Sequence, residues 1–183
     1  MLKKYQICTK TVMDTSDPNI TFNNKGESSY YENFINNILP FWKNDSSKFN
    51  NLIEIAEKIK KEGKNKDFDC IIGISGGVDS SYLTYLSKEV LNLRPLVFHV
   101  DAGWNSRLAV SNIEKIIDKL NLELHTDVIY WPEMQDLQLS FFKAQVPHID
   151  TPQDHAFFAS MYNYAAKYNV KYILNGGNFS TEC

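Results

Sequence analysis

The stretch Ile71–Ser81 most constrains what this chain can fold into, because a buried-strand pattern runs directly into a glycine turn and then a helical pattern. The apolar run Cys70–Ile74 is typical of a strand inside a parallel sheet. After it, apolar residues recur at helical spacing, at Val78, Tyr82, Tyr85, Leu86 and Val90. Gly76 and Gly77 let the backbone between strand and helix approach a ligand closely. Backbone N–H groups and the positive helix end then converge on one point, which predicts a phosphate site.

The residues of this turn distinguish between the known types of phosphate loop. The common P-loop needs a Lys after its last glycine, but here Val78 follows Gly77 and the next Lys is Lys88. The dinucleotide fingerprint G-x-G-x-x-G is also absent. The six residues Ser75–Ser80 instead resemble the SGGxDS loop of the PP-loop ATP pyrophosphatases. That family cleaves ATP between the α and β phosphates and activates a substrate oxygen as its adenylate. A glycine turn that binds nothing is the alternative interpretation.

Composition limits the classes of protein to which the chain can belong. Its 183 residues can bury a sizeable core. The 19 Lys and Arg against 22 Asp and Glu leave a net charge of −3, without the basic excess typical of nucleic-acid binders. The sequence has no long apolar span and no signal-peptide pattern, and its three cysteines are too widely spaced for a disulfide framework. We therefore expect a cytoplasmic protein that binds neither nucleic acid nor membrane.

The chain divides by composition into two regions. Residues 1–45 predict an irregular or β-hairpin lead-in with a turn at 23–26, and residues 46–183 predict a nucleotide-binding domain. An amphipathic helix is expected over 49–61, with Phe49, Leu52, Ile53, Ala56 and Ile59 on its apolar face. Seven lysines lie between Lys43 and Lys66. A solvated helix face is favoured over an anionic docking surface as the reason for them.

From residue 69 onward strands alternate with helices, which predicts an α/β fold with a doubly wound parallel sheet. The predicted strands are Cys70–Ile74, Pro95–Val100, Glu123–Tyr130, closed by Trp131-Pro132, and Val170–Leu174. The predicted helices are Ser106–Leu120, with Ala109, Ile113, Ile116, Ile117 and Leu120 on one face, Glu133–Lys143, and one capped by Thr151, with Phe157, Phe158, Met161, Tyr162 and Ala165 on its core face.

Ligands of such sheets bind at the carboxyl ends of the strands, where three further polar segments are expected. Asp101 ends the second strand, residues 175–178 follow the fourth, and residues 147–155 form a polar loop entering a helix. His99 alone is better explained as a hydrogen-bonded core residue. Asp154 and His155 are open to a substrate or a helix-capping role. A metal site built from them with His148 and Asp150 is less favoured, because the spacing matches no metalloprotease pattern.

Three segments extend the resemblance to one branch of the PP-loop enzymes. The opening Cys8–Pro18, the segment Thr151-Pro152-Gln153-Asp154-His155 and the segment Gly176–Glu182 look like signatures of the N-acetyl sugar amidotransferases. These enzymes serve bacterial lipopolysaccharide (O-antigen) and nonulosonic-acid pathways. The resemblance spans nearly the whole chain and implies the PP-loop ATP pyrophosphatase fold.

The chain departs from this family at two places. The family's opening carries two CxxC pairs suited to zinc, but here only Cys8 remains, and Thr11, Ser28 and Tyr31 occupy the other positions. One thiolate cannot hold structural zinc, so we expect none. Family members also continue well beyond the position of Cys183, so we expect a fold truncated at the C-terminus.

The resemblance implies roles for the residues of the site. Ser75, Asp79 and Ser80 would be catalytic, and Asp79 would position Mg²⁺ on the pyrophosphate leaving group. The ATP-binding set would be Ser75, Gly76, Gly77, Val78, Asp79 and Ser80 around the phosphates, the main chain at Val100 and Asp101 around adenine, and Gly176. The sugar contacts would be Asp154, His155, Asn178 and Glu182.

The reaction implied is the adenylation of an acetamido oxygen, followed by displacement of AMP by ammonia to give an acetamidino sugar. The substrate implied is an acetamido sugar linked to a nucleotide. The resemblance is also compatible with a homo-oligomer. No cysteine has the context of a glutaminase nucleophile, so the resemblance implies a separate glutamine amidotransferase subunit. The alternatives are a tRNA-modifying PP-loop enzyme, an ATP-binding module without turnover, and a structural remnant without a ligand.

Overall fold

The computed structural model describes residues 4–42 and 48–177. Within the described residues the chain forms two compact units, one running up to Phe49 and the other beginning at Asn50. The predicted division into an N-terminal lead-in and a nucleotide-binding domain stays a prediction. Among the described residues, no helix is both long and apolar enough to span a membrane.

The first unit is built from short backbone bridges rather than long strands. Antiparallel bridges join Ile7 to Asp14 and Phe22 to Ser28. Between the second pair lies a tight turn, in which Gly26 has a φ of +75° and its N–H donates to the Asn23 carbonyl at 2.9 Å. The turn expected at 23–26 is therefore present. A short helix α1 (Ser29–Asn33) follows, and a π-helical segment, Phe34–Ile38, continues it.

The second unit contains a four-stranded sheet, in which every neighbouring pair is parallel. Its strands are β1 (Cys70–Gly73), β2 (Pro95–Asp101), β3 (Leu124–Val128) and β4 (Ile173–Leu174). The order is β3-β2-β1-β4, so the chain moves outward from β1 to β3 and then returns to the other side of β1. In sheets of this kind ligands bind beside such a change of direction, which here lies at the carboxyl ends of β1 and β4. The predicted α/β fold with a parallel sheet is confirmed.

Helices connect the strands and cover both faces of the sheet. They are α2 (Phe49–Gly63), α3 (Val78–Tyr85), α4 (Arg107–Leu120), α5 (Trp131–Lys143) and α6 (Thr151–Lys167), and a π-helical turn, Leu86–Val90, extends α3. The start of α4 shows why a helix forms there. The Ser106 hydroxyl accepts a hydrogen bond from the Ala109 N–H at 3.1 Å, as expected of an N-cap serine. Asn121 ends the helix in the left-handed conformation with a φ of +48°.

The core lies on both faces of β1 and β2, because alternate residues of a strand point to opposite faces. On one face, Cys70 and Ile72 pack with α2 and α3, and Val97 packs with Ile113 of α4. On the other face, Ile71, Leu96 and Phe98 pack against Ala165 of α6. Helices on opposite faces make the sheet doubly wound, as predicted.

Several predicted details are wrong. In α3, Val78, Tyr82 and Tyr85 of the predicted apolar set are exposed, and Leu83, which was not in that set, packs against the core. Leu86 of the predicted set, in the π-helical turn that follows, does pack there. Two apolar stripes overlap on this helix, one containing the tyrosines and the other containing Leu83 and Leu86. The stripe with the tyrosines faces water. In α6, Phe158 and Tyr162 are likewise exposed, although both were expected in the core.

Two predicted boundaries also differ. Trp131 and Pro132 begin α5 instead of closing β3, since proline is tolerated in the first turn of a helix. The N-cap position of α6 is Asp150, and Thr151 is already helical, with its hydroxyl donating to the His148 carbonyl at 2.9 Å.

One polar cluster joins the amino ends of β1 and β2 to the end of α2. The Asp69 carboxylate is buried and accepts hydrogen bonds from the backbone N–H of Arg94 at 2.8 Å and from its guanidinium at 2.6 Å. The same guanidinium donates to the carbonyls of Gly63 and Lys66, both at 2.7 Å. A single arginine therefore fixes the end of α2 against the starts of β1 and β2.

Candidate functional site

The loop Ser75–Ser80 leaves the carboxyl end of β1 and enters α3, at the change in strand order. Gly77 is the N-cap position of α3 and has extended backbone angles, φ −77° and ψ 164°. The first N–H groups of a helix have no partner within it, so those of α3 face the loop. The positive end of the helix macrodipole adds to them. The loop therefore has the geometry of an anion site.

The hydroxyls of Ser75 and Ser80 form hydrogen bonds inside the loop. The Ser75 N–H donates to the Ser80 hydroxyl at 3.2 Å, and the two hydroxyl oxygens lie 3.2 Å apart. The Ser80 hydroxyl also donates to the Gly77 carbonyl at 3.3 Å. These bonds join the first and last residues of the loop, so they hold it in one shape before a ligand is present.

Helix α4 packs directly on the back of the loop, which the sequence did not reveal. Gly76 is buried at a φ of +77°, and a side chain there would collide with the backbone of Ala109. The side-chain amide of Asn112 donates to the Gly76 carbonyl at 3.1 Å. One signal was available, because Asn112 is a polar residue three positions after Ala109, beside the apolar face of α4.

One predicted segment contacts the loop directly, and a second follows the strand β2, which pairs with β1. A side chain at Gly176, after β4, would lie 3.1 Å from the carbonyl carbon of Asp79, so the two backbones are in close contact. At the end of β2, Val100 is buried, and the Asp101 carboxylate accepts the N–H of Gly103 at 2.9 Å. That contact caps the turn after β2.

His99 is buried with both ring nitrogens hydrogen-bonded. Its Nδ1 lies 2.8 Å from the Ile74 carbonyl, and its Nε2 lies 3.0 Å from the side-chain nitrogen of Asn105. A carbonyl can only accept, so Nδ1 carries the proton and Nε2 accepts from Asn105. The ring is a core residue, as favoured from the sequence, and it links the end of β1 to the connection between β2 and α4.

The predicted sugar contacts are less well assembled. Asp154 and His155 are exposed in the first turn of α6, and within residues 48–177 neither forms a hydrogen bond or ion pair with the loop. Farther along α6, Met161 lies beside Gly73 at the end of β1. A Cβ atom added at Gly73 would be 3.8 Å from the Met161 sulfur. Two helical turns separate Met161 from Asp154, about 10 Å along the axis. Asn178 and Glu182 lie outside the described residues.

The donors of the loop fit the phosphates of ATP. Backbone N–H groups, two hydroxyls and a helix N-terminus suit an anion, and the exposed Asp79 carboxylate suits Mg²⁺ shared with phosphate oxygens. Magnesium sites of this type use one or two carboxylates together with substrate phosphates. In the described part of the chain no cluster of three or more His, Cys, Asp or Glu could hold a metal by itself. A metal site around His148, Asp150, Asp154 and His155 is therefore not formed there.

Cys8, at the remaining zinc-type position, is surrounded by hydrogen-bond donors. Its sulfur accepts the N–H groups of Ser28 at 3.2 Å and Lys10 at 3.4 Å. Burial raises the pKa of the thiol, but hydrogen bonds from Ser28, Thr11 and Lys10 outweigh that effect and lower the pKa to about 6. One thiol with neighbouring hydroxyls does not match a zinc ligand set. The expected absence of zinc stays a prediction.

A family model described as NAD synthase matches residues 50–172. Two curated proteins, both named as tRNA-specific 2-thiouridylases MnmA, also match. One, from Fusobacterium nucleatum, is 30% identical over 119 residues, covering 61% of this chain and 34% of its own length. The other, from Hahella chejuensis, is 38% identical over 84 residues, covering 40% of this chain and 23% of its own length. The chain thus spans about a third or less of these relatives.

Solved structures with the same fold include two NAD synthetases. The ammonia-dependent enzyme from Campylobacter jejuni superposes with a TM-score of 0.52 at 20% identity, covering 69% of this chain and 55% of its own. The glutamine-dependent enzyme from Acinetobacter baumannii gives a TM-score of 0.55 at 17% identity, covering 70% and 25%. At these identities the likeness concerns the fold alone.

Proposed function

The chain belongs to the NAD synthase family of PP-loop ATP pyrophosphatases, and from that membership we propose that it activates its substrate by adenylation. The observation that carries the proposal is the loop Ser75–Ser80, preshaped by its serines and located at the change in strand order. In this proposal the loop holds the β and γ phosphates, and the α-phosphorus is left open to a substrate oxygen. Mg²⁺ beside Asp79 would neutralise charge on the leaving pyrophosphate.

We propose that the substrate is an acetamido sugar, carried on a nucleotide. Its acetamido oxygen would attack the α-phosphorus, releasing pyrophosphate and a proton and forming an O-adenylated imidate. Ammonia would then add to the imidate carbon, and AMP would leave with the former acetamido oxygen. The products would be AMP and an acetamidino sugar for a bacterial surface polysaccharide, made in the cytoplasm.

Two features support a sugar substrate. The segment Thr151–His155 that resembles the sugar family begins α6, and α6 runs past the end of β1 at Gly73. Asp154 and His155 precede that contact, so we assign them to the sugar, with Asp154 accepting from a sugar hydroxyl. The net charge of −3 also favours a small-molecule substrate over a polynucleotide.

The cysteines of the chain support an external source of ammonia. A glutaminase cysteine must ionise to act as a nucleophile. Burial, with a smaller contribution from Asp69, raises the pKa of Cys70 to about 12, so this thiol stays protonated at neutral pH. The pKa of Cys8 is lowered to about 6, so ionisation does not exclude this thiol, but it is buried and its sulfur accepts hydrogen bonds from neighbouring N–H groups, which leaves it less accessible to glutamine. We therefore propose a separate glutamine amidotransferase partner.

The second candidate function is tRNA modification, and the similarity to tRNA-specific 2-thiouridylases favours it. Against it stand the lack of a basic excess and the lack of a CxxC pair in the sequence. An adenylating tRNA enzyme would use the same loop, so only the substrate separates the two candidates.

The test is AMP formation from ATP with Mg²⁺, ammonium and either a panel of acetamido sugars or bulk tRNA. We expect AMP that depends on one sugar of the panel. AMP formed only with tRNA would overturn the sugar assignment in favour of the second candidate. ADP in place of AMP, or no turnover with either substrate, would overturn adenylation.

The assignment of Asp154 needs its own variant pair. Asp154→Ala should raise the KM for the sugar about tenfold, because one hydrogen bond to a charged group is lost, and should leave the KM for ATP unchanged. Glu133→Ala is the matched control, since Glu133 is an exposed acidic residue in the first turn of α5. An unchanged sugar KM in Asp154→Ala would remove Asp154 from the site.

A further inference from the structure

Helix α4 contributes a contact to the phosphate loop that neither the loop motif nor the family match explains. The Asn112 side chain is half-buried and its amide donates to the carbonyl of Gly76 at 3.1 Å. One turn earlier on the same helix, Ala109 lies so close to Gly76 that no side chain would fit between them. The loop therefore rests on α4 through one close contact and one hydrogen bond.

That hydrogen bond sets the orientation of the peptide unit between Gly76 and Gly77. In a trans peptide the C=O and N–H point in opposite directions. With the Gly76 carbonyl turned toward Asn112, the Gly77 N–H points away from α4. Its contact with the Ser75 hydroxyl is long, 3.4 Å, so it can turn to a stronger acceptor.

This peptide unit needs such an anchor because it lies between two glycines. Glycine adopts positive and negative φ about equally readily, so a peptide flanked by glycines rotates at low cost. A rotated peptide would present its carbonyl oxygen, instead of its N–H, to a phosphate group. The nearby link from His99 holds the Ile74 carbonyl and does not reach this peptide.

We propose that Asn112 is a positioning residue, whose amide holds the Gly76–Gly77 peptide with its N–H directed at the β or γ phosphate of ATP. The proposal rests on the proposed use of this loop for ATP. It does not depend on which substrate is adenylated. Asn112 itself touches no phosphate, so its effect passes entirely through one backbone amide.

The test compares nucleotides that do and do not reach the loop. In Asn112→Leu, which keeps the size of the side chain but removes the donor, the Kd for ATP and for pyrophosphate should rise about fivefold or more, the effect of one lost hydrogen bond. The Kd for AMP, which lacks the β and γ phosphates, should differ from the wild-type value by less than about twofold. Calorimetric titration of the purified chain with ATP, pyrophosphate and AMP in turn measures the three Kd values. Glu114→Leu, at an exposed position of the same helix, is the matched control.

A second variant separates orientation from packing. In Asn112→Asp the ionised carboxylate cannot donate to the Gly76 carbonyl, whereas the protonated carboxyl can. The ionised carboxylate also repels ATP, so the decisive comparison is with the uncharged Asn112→Leu variant. As the pH is lowered, the ratio of variant to wild-type Kd for ATP in Asn112→Asp should fall below the ratio in Asn112→Leu, because relief of repulsion alone would leave the donor missing. A ratio that stays at or above that of Asn112→Leu would contradict the positioning role.

The outcomes separate this proposal from the proposed function. Equal losses for AMP and ATP in Asn112→Leu, or an unchanged ATP affinity, would overturn the positioning role. A wild-type chain that binds neither ATP nor pyrophosphate would overturn both proposals. ATP binding with the expected Asn112 effect but without sugar-dependent AMP would overturn the proposed function alone.

Discussion

At Gly76 an alanine would meet two separate obstacles. The φ of +77° is unfavourable for any residue with a Cβ, and that Cβ would overlap the backbone of Ala109. Gly76→Ala should therefore destabilise the chain by about 2 kcal/mol or more. Denaturant unfolding without nucleotide measures this loss.

Gly77 supplies the control for that prediction. Its φ is −77°, and the nearest atom to an added Cβ is the Ser75 hydroxyl oxygen at 3.4 Å. Gly77→Ala should cost about 1 kcal/mol at most, because alanine is only a poorer N-cap residue. Equal losses for the two variants would contradict the packing of α4 on the loop.

The thiol of Cys8 makes the stability of the chain depend on pH. Its pKa is about 6 in the folded chain, below the ordinary 9.0, so the folded state binds fewer protons between these values. The stabilisation is fully present above pH 9 and is lost as the pH falls through 6. The melting temperature should therefore rise from pH 6 to 9.

Cys8→Ser provides the reference for this pH dependence, since a serine hydroxyl accepts similar hydrogen bonds but does not ionise in this range. Only the difference between the two proteins is assigned to Cys8. Cys70, with a pKa raised from 9.0 to about 12 mainly by burial, lowers the stability only as the pH approaches 9 and above, and it is present in both proteins, so its effect cancels in their difference. If the two proteins show parallel profiles, the thiolate is not stabilised in the folded chain.

Among the elements, the junction of α2 with the sheet depends on Arg94. Arg94→Met would leave the buried Asp69 carboxylate without its guanidinium and two carbonyls without a donor. We expect a loss of about 2 kcal/mol, near the lower end for buried pairs, because about half of the arginine side chain is exposed.

Lys171 offers a comparison within the same unit. It pairs with Glu62 at 2.7 Å, but both side chains reach solvent. Lys171→Met should therefore cost under about 1 kcal/mol. Unfolding free energies of the two variants, measured side by side, check the ranking. A larger loss for Lys171→Met would contradict it.

Predictability varied between elements for a physical reason. Helix α4 has one apolar face and a serine cap, so both its start and its buried side followed from the sequence. Helix α3 carries two overlapping apolar stripes, and periodicity alone could not decide between Tyr82 and Leu83 for the core. The wrong choice at Phe158 and Tyr162 in α6 has the same origin.

For the whole molecule, the alternation of strands and helices predicted the parallel sheet, and the general rule for such sheets predicted the edge at which a ligand is expected. Parallel strands place their carboxyl ends together, so the closeness of Gly176 to Asp79 was within reach of the sequence. The contact of Asn112 with Gly76 was not, since it depends on how α4 packs against the loop. Contacts between distant residues require the tertiary packing that a single sequence does not display.

The most direct test of adenylation follows the fate of the substrate oxygen. The chain is incubated with ATP, Mg²⁺, ammonium and the acetamido sugar of highest activity, with a heavy-oxygen label in its acetamido group. The account predicts that the label appears in AMP, that pyrophosphate is unlabelled, and that the sugar product has lost it. Unlabelled AMP with the label retained in the sugar, or ADP as the product, would contradict it.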